Sequence, residues 1–290
     1  MYKRIRVTAL FVLLIISGAI SSAISSTPAV YSQDFPSPEF ILGEMNNAFK
    51  AGTAVDYGIV SACIAALMEQ GSSSSYPALF SVLTSGYPEI IASEAIGALD
   101  IISGNLNLFL LNVIENNPPA EKFIAFRTGI NSQKLNVSER GQLAEHALEK
   151  SFLYNEEDAD LTALRYASIL ALTELEWKRA NAQVIRHYYR VQADFMQNRV
   201  SKDRLIEAIA CLGAVGDSDA ALVLVLQLGL INARKERTGT FDSEITMAVI
   251  NALGNIGDNA AFDNLLFAGN LSYNEDITSA AAEAISRLKW

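Results

Sequence analysis

The strongest constraint on the fold is an internal repeat in the last third of the chain. Residues 206–217 and 247–258 share a Leu-Gly pair, then a β-branched residue, then Gly-Asp. Leu212 and Leu253 mark the offset between the copies, which is 41 residues. In both copies an Ala-Ala pair opens the following segment. Repeats with periods of this size are typical of supersecondary units stacked in a row.

Each copy predicts two helices joined by a tight turn. Apolar residues at i, i+3 and i+4 predict an amphipathic first helix. Gly216 and Gly257 are expected to end it in the left-handed conformation, which glycine adopts at little cost. Asp217 and Asp258 then stand where a side chain caps the next helix by accepting its free N–H groups. One such pair cannot bury its apolar faces alone, so we expect neighbouring pairs to stack.

Weaker copies of the unit occur elsewhere, and helical spacing begins near Phe40. Residues 118–160 depart from the pattern, with a helix predicted over Ser138–Asn155 and an acidic cluster at Glu156, Glu157, Asp158 and Asp160. The weaker first helices are predicted at residues 60–67, 92–99, 164–175 and 280–288, and a long second helix at residues 178–198.

The pattern Ala-x-x-Ala-Leu-Gly-x-Ile-Gly-Asp resembles the short bacterial form of the HEAT-repeat family. Residues 205–228 and 246–269 match it well, and residues 57–83 and 92–114 match it loosely. The resemblance implies an all-α fold, namely an α-α superhelix (a HEAT-like solenoid) over residues 40–290. It would be right-handed, with roughly five or six helix pairs. Members of the family mostly act as protein-binding scaffolds.

The N-terminus has the layout of a secretory signal peptide. Cations, an apolar run and small residues follow one another as Lys3, Arg4 and Arg6, then Val7–Ile20, then Ser21–Ala23. The run falls short of the roughly 20 residues that span a bilayer. We therefore predict a signal peptide over residues 1–23, cleaved after Ala23. Cleavage after Ser32 and an uncleaved N-terminal membrane anchor are the alternatives.

The signal peptide predicts export, to the bacterial periplasm or beyond. Residues 24–39 contain three prolines and little periodic hydrophobicity, which indicates a linker. No other apolar run reaches spanning length, so no transmembrane span is expected in the mature chain.

Composition and missing motifs argue against nucleic-acid binding and catalysis. With 22 Lys+Arg against 32 Asp+Glu, the net charge of −10 disfavours a nucleic-acid surface. The only histidines, His146 and His187, have no second ligand at i+3 or i+4, so no metal site is predicted. No nucleophile elbow or phosphate loop occurs, and we predict no enzyme activity and no cofactor. Cys63 and Cys211 lie in apolar helical stretches, which favours buried packing over a disulfide.

One basic and aromatic stretch is conspicuous in this acidic chain. Tyr, Trp and Arg dominate interface hot spots, so the stretch predicts a docking surface for an acidic protein partner or an anionic envelope polymer. The alternative is that its aromatic rings pack between repeats while its cations pair with Glu174, Glu176 and the acidic cluster. The candidate partner-binding residues are Trp177, Arg179, Arg186, His187, Tyr189 and Arg190.

The function expected from these observations is that of an exported scaffold that holds a protein partner on its repeat surface without catalysis. One alternative is a lyase- or chaperone-like protein with a small-ligand pocket, for which Cys63 or Cys211 would be the candidate nucleophile. Another is an architectural protein of the cell envelope.

Overall fold

A computed structural model describes residues 36–152 and 158–290. The signal peptide predicted at residues 1–23 and most of the linker predicted at 24–39 lie outside the described residues. Within them the protein is all-helical, with fourteen α-helices and no β-strand. The first seven helices are α1 Pro38–Lys50, α2 Tyr57–Gln70, α3 Tyr76–Thr84, α4 Glu89–Ile101, α5 Leu106–Asn116, α6 Pro119–Asn131 and α7 Val137–Lys150. The others are α8 Ala159–Leu175, α9 Asn181–Met196, α10 Lys202–Val215, α11 Ser218–Thr238, α12 Ser243–Ile256, α13 Phe262–Asn270 and α14 Glu275–Ser286.

The chain forms two compact units. The first contains the described residues up to Val113 together with Arg127–Asn136, and the second contains Ile114–Phe126 together with Val137–Trp290. Helices α5 and α6 therefore each contribute residues to both units.

In the first unit, α1 packs on α2 and α3, and both α2 and α3 pack on α4. Ser37 begins α1 by accepting a hydrogen bond from the Phe40 backbone N–H, so helical structure starts within three residues of the predicted point. Three aromatic rings pack together at the end of α1. The Phe49 ring stacks on Tyr87 at 4.3 Å between centroids, and Tyr57 meets Tyr87 edge-on at 6.1 Å.

In the second unit the helices form two rows. Helices α8, α10, α12 and α14 make one row, and each packs on the next. Helices α7, α9, α11 and α13 make the other row. Each helix of this second row makes its most extensive contacts with the helix that follows it in the chain, as α9 does with α10 and α13 does with α14. This pairing differs from the one that the repeat predicted, because the helices joined by the Gly-Asp turn, α10 with α11 and α12 with α13, do not pack extensively on each other.

The turns of the repeat contain both predicted caps, but the conformation predicted for one of the two glycines is wrong. The side chains of Asp217 and Asp258 accept hydrogen bonds from the backbone N–H two residues on, each at 2.9 Å. Gly257 has the predicted left-handed conformation, with φ 71°. Gly216 does not, since its φ is −67°. A Cβ atom there would lie 2.4 Å from the Ala220 Cβ, so this position needs glycine for space.

Two other predicted helices have different ends in the structure. The helix predicted over Ser138–Asn155 ends at Lys150. The helix predicted over residues 178–198 begins with a 3-10 turn, Lys178–Ala180, and continues as α9 to Met196. None of the helices in the described part of the chain is both long and apolar enough to cross a bilayer.

Candidate functional site

Trp177 anchors the turn between α8 and α9 to helix α7. Its indole ring lies against Gly141, where a Cβ atom would come within 2.4 Å of the ring. The indole N–H donates a hydrogen bond to Glu145 Oε2 at 2.8 Å. The exposed Arg179 guanidinium lies 5.6 Å from the centre of the same ring. Trp177 is therefore half-buried and holds two helices together, while Arg179 stays accessible to a partner.

Arg186 and Tyr189 are both exposed on α9. The Arg186 guanidinium lies 4.5 Å from the centre of the Phe152 ring, and Tyr189 is 50% exposed. Arg190, one residue further along, is half-buried. Among residues 36–152 and 158–290, neither Arg179 nor Arg186 forms an ion pair, so the described contacts do not include the alternative pairing with Glu174 or Glu176. Two acids of the cluster in that alternative, Glu156 and Glu157, lie outside the described residues.

His187 lies inside the protein. Its side chain is fully buried, and neither ring nitrogen has a hydrogen-bond partner among the described residues. Its ring meets the edge of Tyr166 at 5.7 Å between centroids. Burial, with smaller effects from the cations Arg165, Arg190 and Arg204, lowers the pKa of His187 to about 3. The structure thus separates the predicted residues, with His187 in the interior and Arg179, Arg186 and Tyr189 at the surface.

A second exposed feature is a stripe of leucines along α11, which we call the leucine face. It consists of Leu222, Leu226 and Leu230, which are 52%, 68% and 69% exposed. The spacing i, i+4, i+8 places the three side chains above one another on one side of the helix. Leu224 and Leu228, on the other side, are fully buried and hold α11 to the unit.

A groove of about 340 Å³ borders the leucine face, between α9 and α11. Met196, which is 78% exposed, and Leu230 both line it. Gln192 Nε2 donates a hydrogen bond to Gln227 Oε1 at 2.8 Å and so ties the two helices together. The groove is also lined by Arg234 and Arg237, both exposed.

Apolar exposure continues on the neighbouring helix of the same row. On α13, Leu266 and Phe267 are 45% and 40% exposed. Asn232 Nδ2 donates a hydrogen bond to the Asn264 carbonyl at 3.0 Å, which joins α11 to α13. The row α9, α11, α13 therefore presents large apolar side chains on three adjacent helices.

Sequence patterning did not resolve this surface because leucine occurs at every second position from 222 to 230. That spacing distributes leucines around the whole helix, so the apolar residues do not show the period of 3.6 residues that marks one side of a helix. The available signal was the number of leucines itself. A helix that is apolar on every side must be covered on every side, and the core of one domain covers only one of them.

The two thiols are unsuited to nucleophilic chemistry. Cys63 and Cys211 are free, 1% and 0% exposed, and burial raises the pKa of each to about 11. Both are packing residues, as expected. No group of three or more potential metal ligands occurs in the part of the chain that the structure describes.

No protein-family model matches this chain, and no curated protein matches it significantly.

Proposed function

We propose that this protein is an exported HEAT-like α-solenoid that binds a protein partner on helices α9, α11 and α13 and catalyses no reaction. The leucine face is the observation that carries the proposal. Three leucines more than half exposed on a single helix stripe form an apolar patch of the kind that marks interaction sites. In water such a patch gives no stability to the folded chain, whereas its burial against a partner is favourable.

The surroundings of the leucine face suggest the chemistry of the partner. Arg234 and Arg237 lie beside the apolar groove and form no ion pair among the described residues. Their charges favour a partner segment that combines apolar residues with carboxylates. An amphipathic helix fits, because apolar side chains at i, i+3, i+4 and i+7 can lie in a groove between two helices.

The repeat supports the solenoid part of the proposal. Asp217 and Asp258 cap equivalent helices, and Gly213 and Gly254 occupy equivalent packing positions 41 residues apart in the sequence. Stacked repeats suit a scaffold because each adds binding surface without disturbing its neighbours. The N-terminal pattern of cations, apolar run and small residues supports the proposal of export.

The test is site-specific photocrosslinking in the native cell, followed by reconstitution. A photoreactive amino acid is placed at Leu226 in one strain and at Val137 in another. Val137 is a suitable control because it is 61% exposed but lies on α7, which is not one of the three helices of the proposed surface. We expect one protein to be crosslinked from position 226 and not from position 137.

The crosslinked protein is then purified and titrated calorimetrically against the wild type and against the Leu226→Glu variant. We expect a stoichiometric complex that the variant weakens by at least about tenfold, since a charge would replace a buried contact. Equal crosslinking from both positions, or equal affinity for both proteins, would refute the proposed surface.

A further inference from the structure

The second unit contains a cleft of about 710 Å³ beside helix α8, next to the start of α10. One side is apolar and is formed by Ala163, Ala167 and Leu170 of α8. The other side contains two cations, Arg199 and Arg204. A cleft with this division suits a ligand that has one apolar and one charged end.

Tyr166 lines the cleft and joins it to a largely buried basic cluster, which consists of Arg165, Arg190, Arg204 and His187. The Arg204 guanidinium lies 4.1 Å from the centre of the Tyr166 ring, and the Arg165 guanidinium lies 5.5 Å from it. Arg204 forms an ion pair with Glu207, and Arg199 forms one with Asp194. Each of the two cations that line the cleft therefore has one carboxylate partner.

Arg165 has no such partner. Its side chain is 5% exposed, it forms no ion pair with any described residue, and its Nε atom has no hydrogen-bond acceptor. Burial and the charge of Arg190 lower the pKa of Arg165, whereas its interactions with Tyr166 and Asp194 raise it. His187, also in this cluster, is fully buried with both ring nitrogens unpaired. The cluster thus includes three buried nitrogen atoms, Arg165 Nε and both ring nitrogens of His187, that no described residue satisfies.

The buried positive charge of Arg165 acts on whatever occupies the cleft. Electrostatic interactions are stronger in a low-dielectric interior than in water. The depressed pKa of His187 is consistent with this, because Arg165, Arg190 and Arg204 all disfavour its protonated form.

The start of α10 adds donors to the same side. Ser201 lines the cleft and is the N-cap residue of this fourteen-residue helix, but its side chain accepts no capping hydrogen bond. The N–H groups of a first helical turn, together with the helix dipole, favour a bound anion.

We propose that this cleft binds a small amphipathic anion. Its carboxylate or phosphate head would lie against Arg204 and the first turn of α10, and its alkyl part would lie along Ala163, Ala167 and Leu170. Arg165 is a positioning charge, which stabilises the head through the field of the buried cluster. The site is independent of the leucine face and of the protein partner proposed for it.

The test is calorimetric titration of the purified protein with octanoate, octyl phosphate and the neutral octyl glucoside, all below their micelle-forming concentrations. We expect at least one of the two anions to bind with one-to-one stoichiometry, and the tighter one identifies the head group. Octyl glucoside should not bind. The absence of binding by either anion, or equal binding by octyl glucoside, would overturn the proposal.

Two variants test the assigned residues. Arg204→Gln should weaken binding of the anion by about tenfold or more, because a charged hydrogen bond is lost. Arg287→Gln is the matched control, since Arg287 is also ion-paired within its own helical stretch, to Glu283, but lies away from the cleft.

Arg165→Met separates a ligand-binding role from a structural one. If Arg165 is kept for binding, its replacement by an apolar residue of similar length removes a buried charge that forms no ion pair with a described residue. We therefore expect the Tm without ligand to rise by a few degrees and the affinity for the anion to fall. A lower Tm together with unchanged affinity would overturn the proposal.

Discussion

Gly213 of α10 lies directly against Ala252 of α12, so that a Cβ atom on Gly213 would be 2.8 Å from the Ala252 Cα. Gly254 of α12 repeats this relationship with Ala284 of α14, at 3.0 Å. The Leu-Gly pair of the repeat is therefore explained by packing, because the glycine lets two first-row helices approach closely.

Gly213→Ala should destabilise the protein although alanine is the better helix former. We expect the free energy of unfolding to fall by about 1–3 kcal/mol, because the added methyl group meets backbone atoms that cannot move independently. Urea unfolding measures the change. The control is Gly97→Ala in α4, where no atom lies within 4 Å of the added methyl group. That substitution should stabilise by about 0.5–1 kcal/mol. Changes of the same sign in both variants would contradict the packing argument.

His187 should make the protein less stable as the pH falls. Burial and three arginines lower its folded-state pKa to about 3, below the ordinary value of 6.5. The unfolded chain therefore takes up this proton first. The stabilising contribution is complete above pH 6.5 and is lost progressively as the pH falls towards 3, by up to about 1.4 kcal/mol per pH unit.

The measurement is the free energy of unfolding of the wild type and of His187→Phe between pH 7 and pH 4. We expect a shallower decrease for the variant, because phenylalanine does not titrate. His146 is present in both proteins, so its own titration cancels in the comparison. Parallel curves would show that His187 is not the buried titrating group.

Both thiols should be unreactive in the folded protein. Burial limits access to Cys63 and Cys211 and raises their pKa values to about 11, which leaves little thiolate near neutral pH. We expect Ellman's reagent to modify both thiols at least about a hundredfold more slowly in buffer than in denaturant, given the loss of thiolate. Rapid modification of either native thiol would instead support the lyase-like alternative.

Tyr273→Phe should destabilise the contact between α11 and α13. The buried Tyr273 hydroxyl donates a hydrogen bond to Asn232 Oδ1 at 3.0 Å, and Asn232 in turn donates to the Asn264 carbonyl. Removal of the hydroxyl leaves the Asn232 oxygen buried without a donor, which costs about 1–3 kcal/mol. Thermal and urea unfolding measure this loss. Tyr189→Phe, at an exposed tyrosine, should change stability by no more than about 0.5 kcal/mol.

The helical architecture was predictable because it depends on local rules. Apolar spacing and the aspartate caps at Asp217 and Asp258 act within a few residues, and the structure confirms the helices and both caps. Gly216 was misassigned because a glycine kept for space and a glycine kept for positive φ are identical in sequence. The structure distinguishes them, since φ at Gly216 is −67° and a Cβ atom there would lie 2.4 Å from both the Ala220 Cβ and the Leu212 carbonyl oxygen.

The candidate site was less predictable because it depends on which side of a helix is covered. Helical spacing predicted His187 beside Arg186 and Arg190. Successive residues of a helix are rotated by about 100°, however, and this rotation is enough to bury His187 fully while Arg186 is exposed. Arg165 carried no signal at all, since a single arginine within an apolar helix is ordinarily expected to reach solvent.

Cys211 and Gly213 together explain how units of this kind can be multiplied. Cys211 stands 41 residues before Ala252, and its Sγ atom lies 3.7 Å from the Ile169 carbonyl oxygen of α8. Helices α10 and α12 thus each present a small side chain to the preceding helix of the first row. Two residues later, each presents a glycine to the following helix of that row. A tandem duplication of the 41-residue segment would place a glycine beside a small residue at both new junctions. At these contacts the first row is therefore compatible with insertion of a further copy.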